Sequence, residues 1–493
     1  MSLSSVCFLA FVCVTALLYF ALPKDKRFIV LLAASYIYYL AAGPKLVFFL
    51  LFSTLITFSG GLLLEKGVKG VVPVCVILSF GVLVVVKYAN FAIYNFNNIF
   101  GTDLPLRELI FPLGISFYTF QSVSYLLDVR WKKCKAEHNL LRYMLFVSFF
   151  PQIMQGPIGR YSRLAPQLYE GHDFDFVRLK RGALRILWGF FKKMVIADNA
   201  SVFVSPLFDN YDAFTGYGVL AVLMYCAQLY ADFSGGIDIV IGIAEILGVE
   251  MDENFRQPFF AVSITDFWHR WHITLGTWMK DYVFYPISLS NWMGKFGKWC
   301  RKHMPKSIGR ALPICIANII VFLVVGIWHG SEWHYIFYGL YNGIIIGVSG
   351  LMTKPFRSWK KMLNITDDTK WFHAFQIART FLLVNISWYL DRCATIPLAL
   401  RMFKESITDF RFSTTLDTVL APGADTARFM TILTGCIVVL VISILREKNI
   451  DVRGAILARP AAVQAVIFIA VILVSVYFSN HNANVGGFIY ANF

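Results

Sequence analysis

Two histidines stand where an imidazole has a cost. His329 ends an apolar stretch, Ala311 to Gly330 (ALPICIANIIVFLVVGIWHG), which reads as a membrane-crossing helix. An ionisable side chain in such a segment faces a cavity or a partner, so it marks a candidate functional site; the plainer reading is a histidine satisfied by a carbonyl of a neighbouring helix. His272 closes Asp266-Phe-Trp-His-Arg-Trp-His272, with His269 three residues before it. That pair invites a metal reading, yet there is no HExxH and no nearby carboxylate cluster to complete a ligand set. The alternative for His272 is an interfacial histidine packed among tryptophans. Since burial disfavours an imidazolium, a buried histidine can accept a proton. The corresponding chemistry is general-base removal of a proton from an attacking hydroxyl, with His272 or Asp266 orienting or polarising.

The elements that must hold these residues follow from composition. The 493 residues are 57% hydrophobic and 15% charged, with a mean hydropathy of +0.61. Repeated runs of about 20 apolar residues mark transmembrane helices. The chain reads as one all-α polytopic membrane domain over residues 1–493. The formal charge of +15 lies mostly in short loops, as the positive-inside rule expects, and is no nucleic-acid footprint. Nine cysteines without a CxxC pair read as small buried hydrophobes. No Walker loop, GxGxxG or GxSxG is present.

Crossings are predicted at 3–22, 28–42, 46–64, 71–95, 109–129, 182–204, 216–249, 311–330, 335–352, 372–392, 429–445 and 461–479, about 11–12 in all. Both termini are then outside, since Lys24, Lys26 and Arg27 follow the first crossing. Segment 109–129 is rich in Ser, Thr, Gln and Tyr and is expected to face an interior cavity. Residues 140–158 carry Pro151, Gly156 and Pro157 and read as a re-entrant hairpin; 254–286 reads as amphipathic interfacial helices. Lys192 and Lys193 should snorkel or line an aqueous pocket, and 216–249 should break at Asp232-Phe-Ser-Gly-Gly236. With a rise of ~1.5 Å per residue, His329 lies about 27 Å from Ala311, so a central position needs a tilted or sunken helix.

DFWHRWHITLGTWMKDY (266–282) followed by IWHG (327–330) resembles the membrane-bound O-acyltransferase superfamily. The likeness is to its bacterial branch, that of the alginate O-acetyltransferase membrane subunit and the D-alanyl transferase of teichoic acid synthesis. It extends through QGPIGRYSRLAPQ (155–167), YADFSGGIDIVIG (230–242) and the final residues. The resemblance implies a ring of helices around a thin central chamber, with a cytosolic donor funnel and an outer acceptor funnel. His329 matches the family's catalytic histidine and His272 its second functional histidine. In the tail, 480–493, GGFIYANF is similar to the FIYFQF ending of branch members, with Ala491-Asn492 standing where Phe-Gln is usual. Tyr490 matches the tyrosine implied to carry the acyl group, and the tail could reach roughly 35 Å if extended at ~3.3–3.6 Å per residue. The plainer reading of Tyr490 is an interfacial aromatic anchor.

The resemblance thus implies an acyltransferase of the bacterial cytoplasmic membrane. It would move acetyl from acetyl-CoA, with no metal, towards a cell-surface polysaccharide. Membrane lipid surrounds it, and an extracytoplasmic acyltransferase of SGNH-hydrolase type would complete delivery. D-alanyl transfer to teichoic acid from a carrier-protein thioester is the alternative. Arg160, Arg163, Lys192, Lys193, Arg256 and Arg270 are candidates for the donor's phosphates, though positive-inside charge explains them equally well. A secondary transporter or flippase would predict paired halves with matching broken helices, which the sequence lacks.

Overall fold

In the computed structural model, which describes residue 3 and residues 5–366 and 369–481 (side chains at 154 and 479–481 aside), regular structure is helical apart from one bridge pairing Phe255 with Trp271. Tyr490 and the tail after residue 481 lie outside the described residues. Among the described residues five helices are long and apolar enough to cross a membrane: Pro44–Glu65, Val71–Phe100, Lys306–His329, Thr426–Glu447 and Ala461–Phe478. A sixth candidate is Trp333–Leu351 with Thr353–Met362, bent by 60°. The protein is a multi-pass, all-helical membrane protein.

The other expected crossings are helices too, but short or charged. Val6–Ala21 and Arg27–Ala42 have 16 residues each, less than the ~20 a bilayer needs. Phe176–Phe191 carries Arg178, Arg181 and Arg185, and Lys370–Arg392 carries Arg379 and Asp391. Residues 140–158 form two short helices, Leu140–Ser148 and Phe150–Gln155, separated at Phe149.

By residue contacts the chain forms two compact units. The first comprises Met1–Asn199, Gln228–Asp252 and Met430–Phe493. Within it Ile115–Arg130, expected to line a cavity, is a packed interior helix. Two of its polar side chains meet protein partners: Gln121 donates to the Phe146 carbonyl at 2.7 Å and Tyr125 accepts from the Glu137 N–H at 2.9 Å. Asp175 caps Phe176–Phe191, accepting from Val177 N at 2.8 Å. That helix then passes into a π-helix, Lys192–Ala197.

Two expectations are corrected here. Helix Gly218–Ile246 runs unbroken through Asp232–Gly236. Lys192 and Lys193 neither snorkel nor line water, because carboxylates on that helix meet them. Lys192 Nζ lies 2.6 Å from Asp238, Lys193 Nζ lies 2.7 Å from Asp232 and 2.8 Å from Asp198, and Arg185 Nε is 2.8 Å from Asp238. Glycines let the backbones close in for this. A Cβ at Gly182 would stand 2.6 Å from the Gly242 carbonyl oxygen, and one at Gly235 2.9 Å from that of Gly189. A buried charge survives only when paired, and here the pairing removes the reason to break the helix.

The second unit, Ala200–Ala227 with Glu253–Phe429, carries both histidines. Its spanning helix Lys306–His329 begins five residues before Ala311 and has 24 residues, about 36 Å at ~1.5 Å per residue. It turns back into Trp333–Leu351, its most extensive neighbour. Gly339, Gly343 and Gly347, four residues apart, put one stripe of that helix against the first. A Cβ at Gly343 would meet Phe322 Cβ at 2.9 Å, and one at Gly339 would overlap the Phe322 carbonyl oxygen. Small residues at this spacing are how helices approach closely where lipid supplies no hydrophobic drive.

Candidate active site

His329 is the last residue of its helix and is 4% exposed. His272 lies on a different element, between the short helices Ile264–Arg270 and Ile273–Met279, and is 2% exposed. Its backbone is left-handed, with φ 47°, a conformation that costs roughly 1–2 kcal/mol away from glycine. Asn254 holds it there. The Asn254 carbonyl accepts from Ile273 N at 3.0 Å, and its side-chain Oδ1 accepts from Thr274 N at 3.0 Å and Thr274 Oγ1 at 2.9 Å.

The same Oδ1 lies 3.2 Å from His272 Nδ1. A backbone N–H only donates, so the Asn254 atom facing Thr274 N is the oxygen, and His272 Nδ1 must be the donor. The neutral tautomer then keeps its lone pair on Nε2. Burial, with His329 nearby, holds this imidazole well below its ordinary range, so it is neutral at physiological pH.

Aromatic rings close a circuit through both histidines. His272 stands 5.7 Å from Trp328, Trp328 stands 5.1 Å from His329, and His329 stands 5.2 Å from Tyr338. Tyr338 stacks at 6.0 Å on Trp388, which lies 5.5 Å from Trp271, the residue before His272. Rings of this size bury ~150–250 Å² each and hold their neighbours in few rotamers. The circuit joins the 264–279 segment, the glycine-lined hairpin and helix Lys370–Arg392. On that last helix Asp391 brings Oδ1 to 3.8 Å from His329 Nδ1, while its Oδ2 accepts from Tyr225 Oη at 2.7 Å.

A cavity of about 610 Å³ adjoins the circuit, within the range of small-molecule sites. Val321, Phe322 and Ile346 give it an apolar wall, and Lys280, Asp281 and Ser349 add polar groups. His272 lines it; His329 does not, and Val325, one turn earlier, is the nearest lining residue on its helix.

The structure therefore brings His272 and His329 into one aromatic cluster. It corrects the expectation for Asp266, whose carboxylate accepts from Arg270 Nε at 3.0 Å and Val262 N at 3.1 Å, an i,i+4 pair and a local turn. Asn254 is the partner of His272 instead. Of the candidate phosphate cations, Arg163 pairs with Asp252, Arg270 with Asp266, and Lys192 and Lys193 with buried aspartates. Asn254, Tyr225 and Asp391 were missed. For Asp391 a signal existed, a carboxylate closing the apolar run Phe381–Leu390, of the same kind that marked His329.

Comparisons with known proteins point to one family. The profile of MBOAT, the membrane-bound O-acyltransferase family, matches residues 132–296, which include His272. A probable alginate O-acetylase of Pseudomonas aeruginosa is 34% identical over 403 residues, covering 78% of this chain and 71% of that protein. A peptidoglycan O-acetyltransferase of Helicobacter pylori is 30% identical over 64% of this chain and 61% of its own length. A teichoic acid D-alanyltransferase of Bacillus subtilis is 31% identical over 58% of this chain and 70% of its own.

Proposed function

The chain belongs to the membrane-bound O-acyltransferase family, and from that premise we propose that it moves acetyl from cytosolic acetyl-coenzyme A across the bacterial cytoplasmic membrane, for O-acylation of a surface polysaccharide. The observation that carries the reading is the aromatic circuit that brings His272 and His329 together beside a cavity of about 610 Å³. The donor's thioester arm enters that cavity, and an amide or hydroxyl proton of the bound substrate is donated to His272 Nε2. His329 takes the proton of an attacking hydroxyl. The new C–O bond forms at the thioester carbonyl, the C–S bond breaks, and the proton passes from His329 to the leaving sulfur, so a neutral thiol departs.

The attacking hydroxyl is the phenol of Tyr490. Thiol and phenol pKa values of ~8.5 and ~10 lie below that of a sugar hydroxyl, so each ester is less activated than the one before. An extracytoplasmic acyltransferase of SGNH-hydrolase type then moves acetyl to the polymer. His329→Ala should leave an inserted protein whose product falls about 10²–10⁴-fold, read as acetate released by base from surface polymer. Undiminished acetate would remove His329 as the base, and undiminished acetate from Tyr490→Phe would remove the relay. The likeness to a D-alanyltransferase favours a second reading, D-alanyl transfer to teichoic acid; alanine in the released fraction would select it.

A further inference from the structure

We propose that Asp391 is the positioning residue of His329, fixing its tautomer and steadying its charged form; this rests on His329 being the base. Asp391 sits in the last turn of Lys370–Arg392 and is 5% exposed. A carboxylate buried to that degree needs partners on both oxygens. Tyr225 donates to Oδ2 at 2.7 Å. Oδ1 accepts no hydrogen bond among the described residues, and His329 Nδ1 stands 3.8 Å from it.

The charged and titratable neighbours of the dyad are otherwise committed or differently placed. Arg392 donates to Asp209 at 2.8 Å. His334 has one ring nitrogen 2.8 Å from the Leu390 carbonyl and the other 2.9 Å from Glu332. Tyr335 and Tyr338 present ring faces and edges to the His329 imidazole, at 6.4 and 5.2 Å between centroids, and His272 is held by Asn254 at 3.2 Å. His329 Nδ1 is thus the donor within reach of Oδ1. Catalytic hydrogen bonds are commonly long before substrate binds and tighten afterwards. With Nδ1–H directed at Asp391, the lone pair is on Nε2, and the imidazolium formed when Nε2 takes the hydroxyl proton faces an anion. Asp391 itself keeps no proton through the step.

The Tyr225–Asp391 bond could also serve only to tie two helices, so the test must move something a tie would not. Thiol release from acetyl-coenzyme A by the full chain in proteoliposomes, measured across pH, provides this. Asp391→Asn should lower kcat about 10²-fold with KM unchanged. It should also shift the acidic limb of the kcat profile to lower pH, because a base without its anion binds its proton less tightly. Asp391→Glu should restore part of the rate. Tyr225→Phe, which leaves the carboxylate in place, should cost only a few-fold and serves where Asp391→Asn fails to insert; with an unchanged rate there and in Asp391→Glu, the assignment falls. Wild-type kcat and an unmoved acidic limb in Asp391→Asn overturn it even if His329→Ala is inactive. An active His329→Ala would instead overturn the reading beneath it.

Discussion

Around Lys192, Lys193 and Arg185 each buried cation has a carboxylate oxygen within 2.8 Å, while around His272 and His329 the corresponding distances are 3.2 Å to an amide oxygen and 3.8 Å to a carboxylate. The first cluster neutralises charge completely and draws it onto neighbouring helices of one unit. Such a cluster holds protons fixed, since any change of ionisation leaves an uncompensated charge in apolar surroundings. The second sets two imidazoles and the Asp391 carboxylate among aromatic rings, with longer contacts between them. Under the proposed function, tight pairing belongs to the scaffold and loose pairing to the chemistry, and the distinction can be broken by experiment.

The largest effect is expected in the scaffold. Lys193→Met strands Asp232 and Asp198, a loss of about 3–5 kcal/mol, so the yield of monodisperse protein in detergent should collapse while any folded molecules keep their specific activity. Normal yield with lost turnover would erase the contrast. Next is Asn254→Ala, which removes the lock on the His272 tautomer. Its yield should stay close to wild type and turnover should drop about tenfold, equivalent to ~1.4 kcal/mol; unchanged turnover would reduce Asn254 to a turn residue.

The smallest effect is a pH dependence of stability. Folded His272 is held below its ordinary range, so below pH ~6.5 the unfolded chain takes up a proton that the folded one refuses. Stability from this group is therefore full above that pH and declines beneath it, by at most ~1.4 kcal/mol per pH unit. Melting of His272→Gln between pH 7.5 and 5.5 should show a shallower acid decline than wild type; equal slopes would mean that other groups govern it.

What the sequence made legible was the residue whose local context was already anomalous. His329 stands out because a histidine closes an apolar run, and the 266–282 and 327–330 blocks carry the family likeness. Partners from distant chain were not legible. Asn254 is 18 residues from His272 and Tyr225 is 166 from Asp391, and no periodicity links them. Asp266 misled because it is near in sequence, yet a helical i,i+4 pair with Arg270 claims it. Five or six of the expected crossings are long and apolar enough by themselves among the described residues; the others are helices whose charges or short length hide them from hydropathy alone. Gly218–Ile246 reads as broken because Gly235 and Gly236 sit in a polar cluster, while the lysines that pair with Asp232 and Asp238 lie 39 and 46 residues away in sequence.

The stripe Gly339, Gly343 and Gly347 has a consequence for how such an enzyme can change its cargo. With main chain lying directly on main chain, the hairpin has no compressible layer, and a slip by one turn would push side chains into peptide groups. The height of His329 is therefore set like a fixed jaw. Any adjustment for bulkier acyl groups falls to the opposite jaw, the short helices and π turn between Ile264 and Phe284, where single side chains such as Leu275 or Met279 can be trimmed without moving His329.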